Sequence, residues 1–384
     1  MAACQLRGLI YQMSNGRGRI ALFRPYVTEQ ARDRVNQVLA SGWIGQGPVV
    51  AEFEHRFEEV IGVPNAVAVN SATSALHLAL TCLGVGDGDE VITTAQTFVA
   101  TSLVILQNGA RPVFADVQYG TGNIDPSDIE HRITDRTRAI MVVHWGGYPC
   151  DLDEIQAIAK RHGLAVIEDA AHAIGATYHG RSIGVSSRFT CFSFQAIKHL
   201  TTGDGGMIVA PADDDYEMAK RRRWFGLDRD RRQPSELGEP IWDISEIGFK
   251  YHMNDIAAAM GVAHPEAFPE MLAQRRRFAS TYRSGLAGTP GLTLFDVCAD
   301  RESAYWLFDL HVERRLDFIR MLKSKNVDAS VLHQRIDTNS VFGGLRHDLP
   351  TLERFDDTHV CLPMHNGLTD DDVDYVVRCI REGW

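Results

Sequence analysis

The chain has 384 residues, enough for a large domain plus a small one, and its 45% apolar and 23% charged content is that of an ordinary globular protein. Its 39 basic against 50 acidic side chains leave a net charge of −11, which argues against a polynucleotide partner but leaves a small anionic ligand open. Seven cysteines are odd in number, widely spaced and without a CxxC pair, and no apolar run is long enough to span a bilayer, so a reducing cytoplasm is expected, with no disulfide framework, zinc site or membrane partner.

The first twenty residues, "MAACQLRGLIYQMSNGRGRI", lack the apolar core of a signal peptide and read as a loose arm. From about residue 64, short apolar runs alternate with helical stretches. "AVAV" (66–69) is followed by the helical spacing of "SALHLALTCL". "EVITT" (90–94), "RPVFADV" (111–117) and "AIMVVHW" (139–145) come next, then "LDEIQAIAKRHG", a helix closed by a glycine stop. "LAVIEDA" (164–170), "FTCFSF" (189–194) and "GGMIVA" (205–210) complete seven strands. Continuous apolar strands need cover on both faces, so residues 21–264 are predicted to form an α/β, doubly wound, mostly parallel seven-stranded sheet domain. A loop rather than a helix joins the last two runs, so one strand is expected to be antiparallel.

Residues 211–250 break the rhythm with an acidic cluster, a basic "KRRRWFGLDRDRR" and a Pro/Gly-containing loop. Residues 265–384 then read as a smaller α+β domain. Its elements are helix "MLAQRRRFASTYRSGL", strand "WLFDLHV", helix "RLDFIRMLKSKN" and the closing helix "TDDDVDYVVRCIREG". A cleft between two such domains is a natural ligand site.

Ligands of an open α/β sheet gather at the carboxyl ends of its strands, so the residues after each strand are the candidates. After "AVAV", Ser71, Thr73 and Ser74 open a helix, either as a plain cap or as a phosphate seat of amides and hydroxyls. Phe98 follows the second strand and is either core or a stacking partner for a flat ring. Asp169 ends a strand, where a buried carboxylate needs a partner, and His172 follows three residues on; a metal pair is the rival reading. Ser193 and Lys198 come after "FTCFSF", before the bend Gly203–Gly206. An anion seat, a flat aromatic, a carboxylate and a lysine at one sheet edge are the four things pyridoxal phosphate (PLP) requires. Burial and a cationic neighbour would lower the lysine pKa and free its amine as a nucleophile.

The segments "NSATSALHLAL", "TFVATS", "VIEDAAHAIGATYHGRSIG", "FSFQAIKHLTTGDGGMIV" and "IGFKYHMNDIAAAMG" resemble the DegT/StrS-type nucleotide-sugar aminotransferases, PLP enzymes of fold type I. The similarity runs in order from about residue 20 through "SGWIGQGPVVAEFE" to the end. The resemblance implies that Lys198 holds PLP, that Asp169 pairs with the pyridine nitrogen and that His172 lies near the phenolic oxygen. It also puts Phe98 in the ring-stacking position, Ala72 and Thr73 in the phosphate turn, and Ser193 as a phosphate hydroxyl. In the family a second subunit reaches the phosphate, commonly through asparagine; here Lys250 stands in that place, still able to meet a phosphate as a point charge. A homodimer with shared active sites follows.

The implied reaction moves an amino group from glutamate to a keto group of a nucleotide-linked 4-keto-6-deoxy sugar, with Lys198 as the general acid–base. "KHLTTGDGG" is more like the C4-acting members than the C3-acting ones. The cluster Lys220–Arg223 with Arg229, Arg231 and Arg232 is either a diphosphate contact or a solvated face. A 3-dehydratase of the same family would carry histidine at the lysine position. A silent sugar-nucleotide sensor would not need the set Lys198, Asp169 and Ser193, and an NAD-dependent oxidoreductase would need a glycine fingerprint that "NSATSA" does not supply.

Overall fold

The computed structural model describes residues 18–228 and 233–384. Seven strands form one sheet: β1 (Ala66–Val69), β2 (Glu90–Thr94), β3 (Arg111–Ala115), β4 (Thr137–Val143), β5 (Ala165–Asp169), β6 (Phe189–Ser193) and β7 (Gly206–Val209). Their order across the sheet is β1-β7-β6-β5-β4-β2-β3. Every pair is parallel except those of β7, which runs against both β1 and β6. The apolar runs and the one reversed strand are those read from the sequence.

The sheet is buried on both faces because alternate residues of each strand feed two different cores. Ala66 and Ala68 pack with Phe53, Phe57, Ile155 and Ile158. Val67 and Val69 pack on the opposite face with Leu76, Leu80, Val104 and Ile105. The first face is covered by α2 (Pro48–Ile61), α5 (Pro126–Arg132), α6 (Leu152–His162) and α8 (Asp255–Val262). The second is covered by α3 (Ala72–Cys82), α4 (Ala100–Gln107) and α7 (Asp213–Arg222). A polar helix, α1 (Glu29–Ser41), packs beside α8.

The C-terminal part builds a second sheet of three antiparallel strands, β8 (Leu292–Leu294), β9 (Phe308–Val312) and β10 (His359–Leu362), in that order. It is supported by α9 (Phe268–Leu286), α10 (Arg315–Ser324), α11 (Pro350–Thr358) and α12 (Asp370–Arg381). Its own core includes Phe278, Tyr282, Phe308, Phe318 and Val376. Most of the arm read at residues 1–20 lies outside the described residues. Its last residue, Ile20, is 5% exposed, belongs to this second core and pairs with Val327. The chain thus passes from a contact with the C-terminal core into α1 and α2. Among the described residues no helix is long and apolar enough to cross a membrane.

Candidate active site

Strand β5 ends on Asp169, whose backbone carbonyl accepts from His144 and whose carboxylate is buried. Two donors meet that carboxylate: the Thr101 hydroxyl at 2.7 Å and the Ala171 amide at 3.1 Å. Burial pushes the Asp169 carboxyl above its ordinary range, with those two bonds and the nearby Lys198 amine working in the opposite direction. A carboxylate in that condition is a ready partner for a cationic ring nitrogen.

His172 follows in the turn after β5. Its ring is buried and stacks on Trp306 with centroids 3.8 Å apart at 21°. Burial, and then the neighbouring Lys198, hold its pKa well below the ordinary histidine value, so the ring is neutral. Its Nδ1 has no hydrogen-bond partner among the described residues, a cost that a bound polar group would remove.

Lys198 sits in the turn after β6, its amide bonded to the Gln195 carbonyl at 2.9 Å. Burial lowers its amine to a pKa of about 7, against a smaller opposing pull from Asp169. An amine with that value is substantially unprotonated at neutral pH, as a nucleophile must be.

Ser71 caps α3, its hydroxyl accepting from the Ser74 amide at 3.1 Å. Beside this cap lies Gly206, the first residue of β7. A Cβ there would stand 2.5 Å from the Ser71 carbonyl carbon and 2.6 Å from the Ala72 nitrogen. The absence of a side chain is what allows the reversed strand to run under the helix start.

Ala72, Thr73, Phe98, Asp169, His172, Ser193 and Lys198 all line one cavity of about 300 Å³. Seven of the eight residues read from the sequence therefore converge. Phe98 is 54% exposed, so it is not core; its ring tilts against His333 at 5.2 Å. Lys250 is exposed and does not line this cavity; its carbonyl accepts from the Asn70 side chain at 3.4 Å. Of the two readings of the basic cluster, its described arginines fit a face balanced by nearby acids. Arg221 and Arg222 are paired with Glu246 at 2.6 and 2.7 Å, and Arg223 with Glu54 and the Ala68 carbonyl. These guanidiniums brace the fold, while Arg229, Arg231 and Arg232 lie outside the described residues.

Among the lining residues that had no role in the sequence reading are Thr97, Thr101, Trp306 and His333. The first two lie within "TFVATS" and were within reach of inspection. Trp306 and His333 arrive from the C-terminal part and carry no local signal. Asp169 and His172 belong to no group of three potential metal ligands among the described residues. Among the described residues the convergent ligand set is Asp309, His359 and Cys361, a buried trio on β9 and β10 apart from this cavity.

The residues present fit PLP. The helix start and the Ser193 hydroxyl suit a phosphate. Asp169 suits the ring nitrogen, the orphaned Nδ1 of His172 suits a ring oxygen, and the Lys198 amine suits an aldehyde. With an open α/β sheet carrying the cavity at its strand ends, the fold and site define a PLP-dependent aminotransferase of fold type I.

Comparison with known proteins agrees. The model of the DegT/DnrJ/EryC1/StrS aminotransferase family matches residues 25–381, and the chain belongs to that family. It is similar to the crystal structure of AtS13 from Actinomadura melliaura, at 42% identity and a TM-score of 0.92, covering 96% of this chain and 100% of that one. The sugar aminotransferase CalS13 from Micromonospora echinospora is 38% identical with a TM-score of 0.90, over 95% and 100% of the two chains. Spr1654 from Streptococcus pneumoniae, solved in a PLP form, is 30% identical with a TM-score of 0.88, over 95% and 98%. The family is PLP-dependent, and PLP is the cofactor of this enzyme.

Proposed function

We propose that this enzyme transfers an amino group from glutamate to the C4 keto group of a nucleotide-linked 4-keto-6-deoxy sugar. The observation that carries the reading is one cavity holding a lysine amine of pKa about 7, a buried carboxylate and a helix start. The sugar class is supported by CalS13, described as a sugar aminotransferase. The C4 position is supported by the run "KHLTTGDGG" that begins at the lysine.

Bound PLP supplies the electron sink that makes the carbon next to the transferred nitrogen acidic. The protein does the rest. Amides at Ala72 and Thr73 and the hydroxyl of Ser193 hold the phosphate. Asp169 holds the ring nitrogen protonated, and Thr101 keeps the carboxylate aimed. His172, neutral and fixed by its stack on Trp306, offers a hydrogen bond at the ring's edge. Lys198 would hold the cofactor's aldehyde, and its amine, when free, would carry the proton between the substrate carbon and the cofactor carbon as general acid–base. Phe98 stacks on the cofactor ring, and His333 borders the sugar.

A 3-dehydratase reading is disfavoured by the residue at the reactive position. Lys198 lines the cavity, while the Nε2 of His199 turns away to the Ala304 carbonyl at 2.8 Å. The working unit in our reading is a cytoplasmic homodimer in which Lys250 of the second copy reaches the phosphate. We further propose residues 1–20 as an arm, 21–264 as the PLP-binding domain and 265–384 as the small domain, since the seven-stranded sheet and the sheet β8-β9-β10 fall on opposite sides of that division, with the short pairing of Arg301 and Glu302 to Tyr178 and Thr177 bridging it.

The test is a screen of UDP-, dTDP- and GDP-linked 4-keto sugars with glutamate, following cofactor absorbance and product by mass spectrometry. Turnover with one of them, lost in Lys198→Ala, is the expected result. Substantial transaminase activity remaining in Lys198→Ala would overturn the assignment.

A further inference from the structure

Trp306 touches the reactive segment in more ways than cavity lining requires. It is 1% exposed and stands just ahead of β9. Its indole Nε1 donates to the carbonyl of Ile197 at 3.0 Å. Its ring lies 3.4 Å from Lys198 Nζ, measured to the centroid, and stacks on His172. Two residues earlier, the Ala304 carbonyl meets His199 Nε2. The segment 304–306 therefore grips residues 197 and 199 from both sides and lays an aromatic face against the amine between them.

That segment is itself fixed. Tyr305 holds a positive φ of 46°, a conformation a non-glycine residue keeps only where its surroundings impose it. The Ala304 and Leu307 amides donate to the carbonyls of Gly147 and Gly146 at 3.0 and 3.1 Å. An indole so anchored is a preorganised seat for a cation.

We propose that Trp306 is the seat of the Lys198 amine whenever that amine is not covalently engaged, a positioning residue that holds the ammonium form on its π face between proton transfers. This rests on the reading of Lys198 as the PLP-bearing residue. The seat solves a problem of the mechanism. A lysine released from a covalent bond in a desolvated cavity has few polar partners, and a wandering amine would lose its alignment with the reacting carbon. Asp169 attracts the ammonium, while the rings of His172, His199 and His333 face it as neutral groups and Asp204 borders the cavity. The indole face adds attraction for the cation at close range.

The experiment uses the full-length apoenzyme. Lys198 acetylation by a brief pulse of acetic anhydride is followed across pH by peptide mass spectrometry, which reads the free amine directly. In Trp306→Leu the profile should move to lower pH by about 0.5 to 1.5 units, the span of a lost cation–π contact. Trp306→Phe should retain most of the wild-type position. Should Trp306→Leu fail to fold, global replacement of tryptophan by fluorinated analogues, which drain the π face without changing shape, should displace the profile in step with fluorination. Superimposable profiles across these proteins would overturn the inference. A parallel titration with PLP keeps the two claims apart. If wild-type Lys198 does not become PLP-linked, its assignment as the PLP-bearing lysine falls, and the acetylation profile still decides whether the indole holds the amine.

Discussion

The Thr101 hydroxyl donates to the Asp169 carboxylate at 2.7 Å, and Thr97 stands 2.8 Å behind it, so its own hydroxyl must donate to Thr101. This relay runs from the start of α4 to the end of β5 and fixes the carboxylate before any ligand arrives. Thr101→Val removes a donor from a buried charged acceptor, a loss of about 1.5–3 kcal/mol. We expect PLP affinity to fall by about 10- to 100-fold, measured by absorbance titration of the apoenzyme, with Thr101→Ser close to wild type. An unchanged affinity in Thr101→Val would remove the relay from the account.

Gly206→Ala tests the join between β7 and α3. The new methyl would press on the backbone of Ser71 and Ala72, which cannot rotate out of the way as a side chain can. The expected outcome is a stability loss of about 1–3 kcal/mol, as in overpacking, together with weaker binding of PLP relative to pyridoxal. A fall in stability without any change in that ratio would separate the join from the phosphate turn.

Acid should unfold the protein early. Burial holds His311, His333 and His365 down to about 4, and His172 and His199 well below their ordinary value. Each stays neutral in the folded protein while the unfolded chain protonates it near 6.5, so the unfolded state binds more protons and stability falls as pH drops below that point. Burial lowers His77 and His264 as well, so Asp169, raised by burial and acting in the opposite sense, is one group against seven. Denaturant midpoints of the apoenzyme should show a loss of at least about 2 kcal/mol between pH 7 and pH 5; a flat profile there would refute it.

Subunit mixing tests the role proposed for Lys250. If each site takes Lys198 from one chain and Lys250 from the other, Lys198→Ala and Lys250→Glu should each be inactive alone. Unfolded together and refolded, they should regain up to about a quarter of wild-type activity, since half the dimers are mixed and each mixed dimer has one intact site. No recovery, with a dimer verified by sedimentation, would confine the site to a single chain.

The seven strands could be read from the sequence because a sheet covered on both faces demands uninterrupted apolar runs, which "AVAV" and "AIMVVHW" supply. Other elements could not. Helix α1 buries little beyond Ala31 and Val38, so its periodicity is faint. In α2 the spacing of Val50, Phe53, Phe57 and Ile61 is helical, yet the first two lie inside a segment noticed only as a motif and the last two just past it. At the site, Lys198, Asp169 and the α3 cap follow directly from strand ends, which is why they were found. Trp306 and His333 reach the cavity from more than 100 residues past Lys198. No local pattern announces them, because tertiary folding alone brings them in. The arginine cluster stayed open between two readings for a related reason: charge is visible in a sequence, whereas the pairing of Arg221 with Glu246 and of Arg223 with Glu54 is made only by the fold.

The reversed strand β7 has a geometric corollary. By separating β1 from β6 it spaces the carboxyl ends of those two strands about 10 Å apart, twice the ordinary distance between neighbours, with a bare glycine at the floor of the gap. The width of the anion slot is thus fixed by counting backbones rather than by the reach of any side chain. Mutating the slot's walls can retune how tightly an anion is held, but enlarging the slot would require a different arrangement of strands.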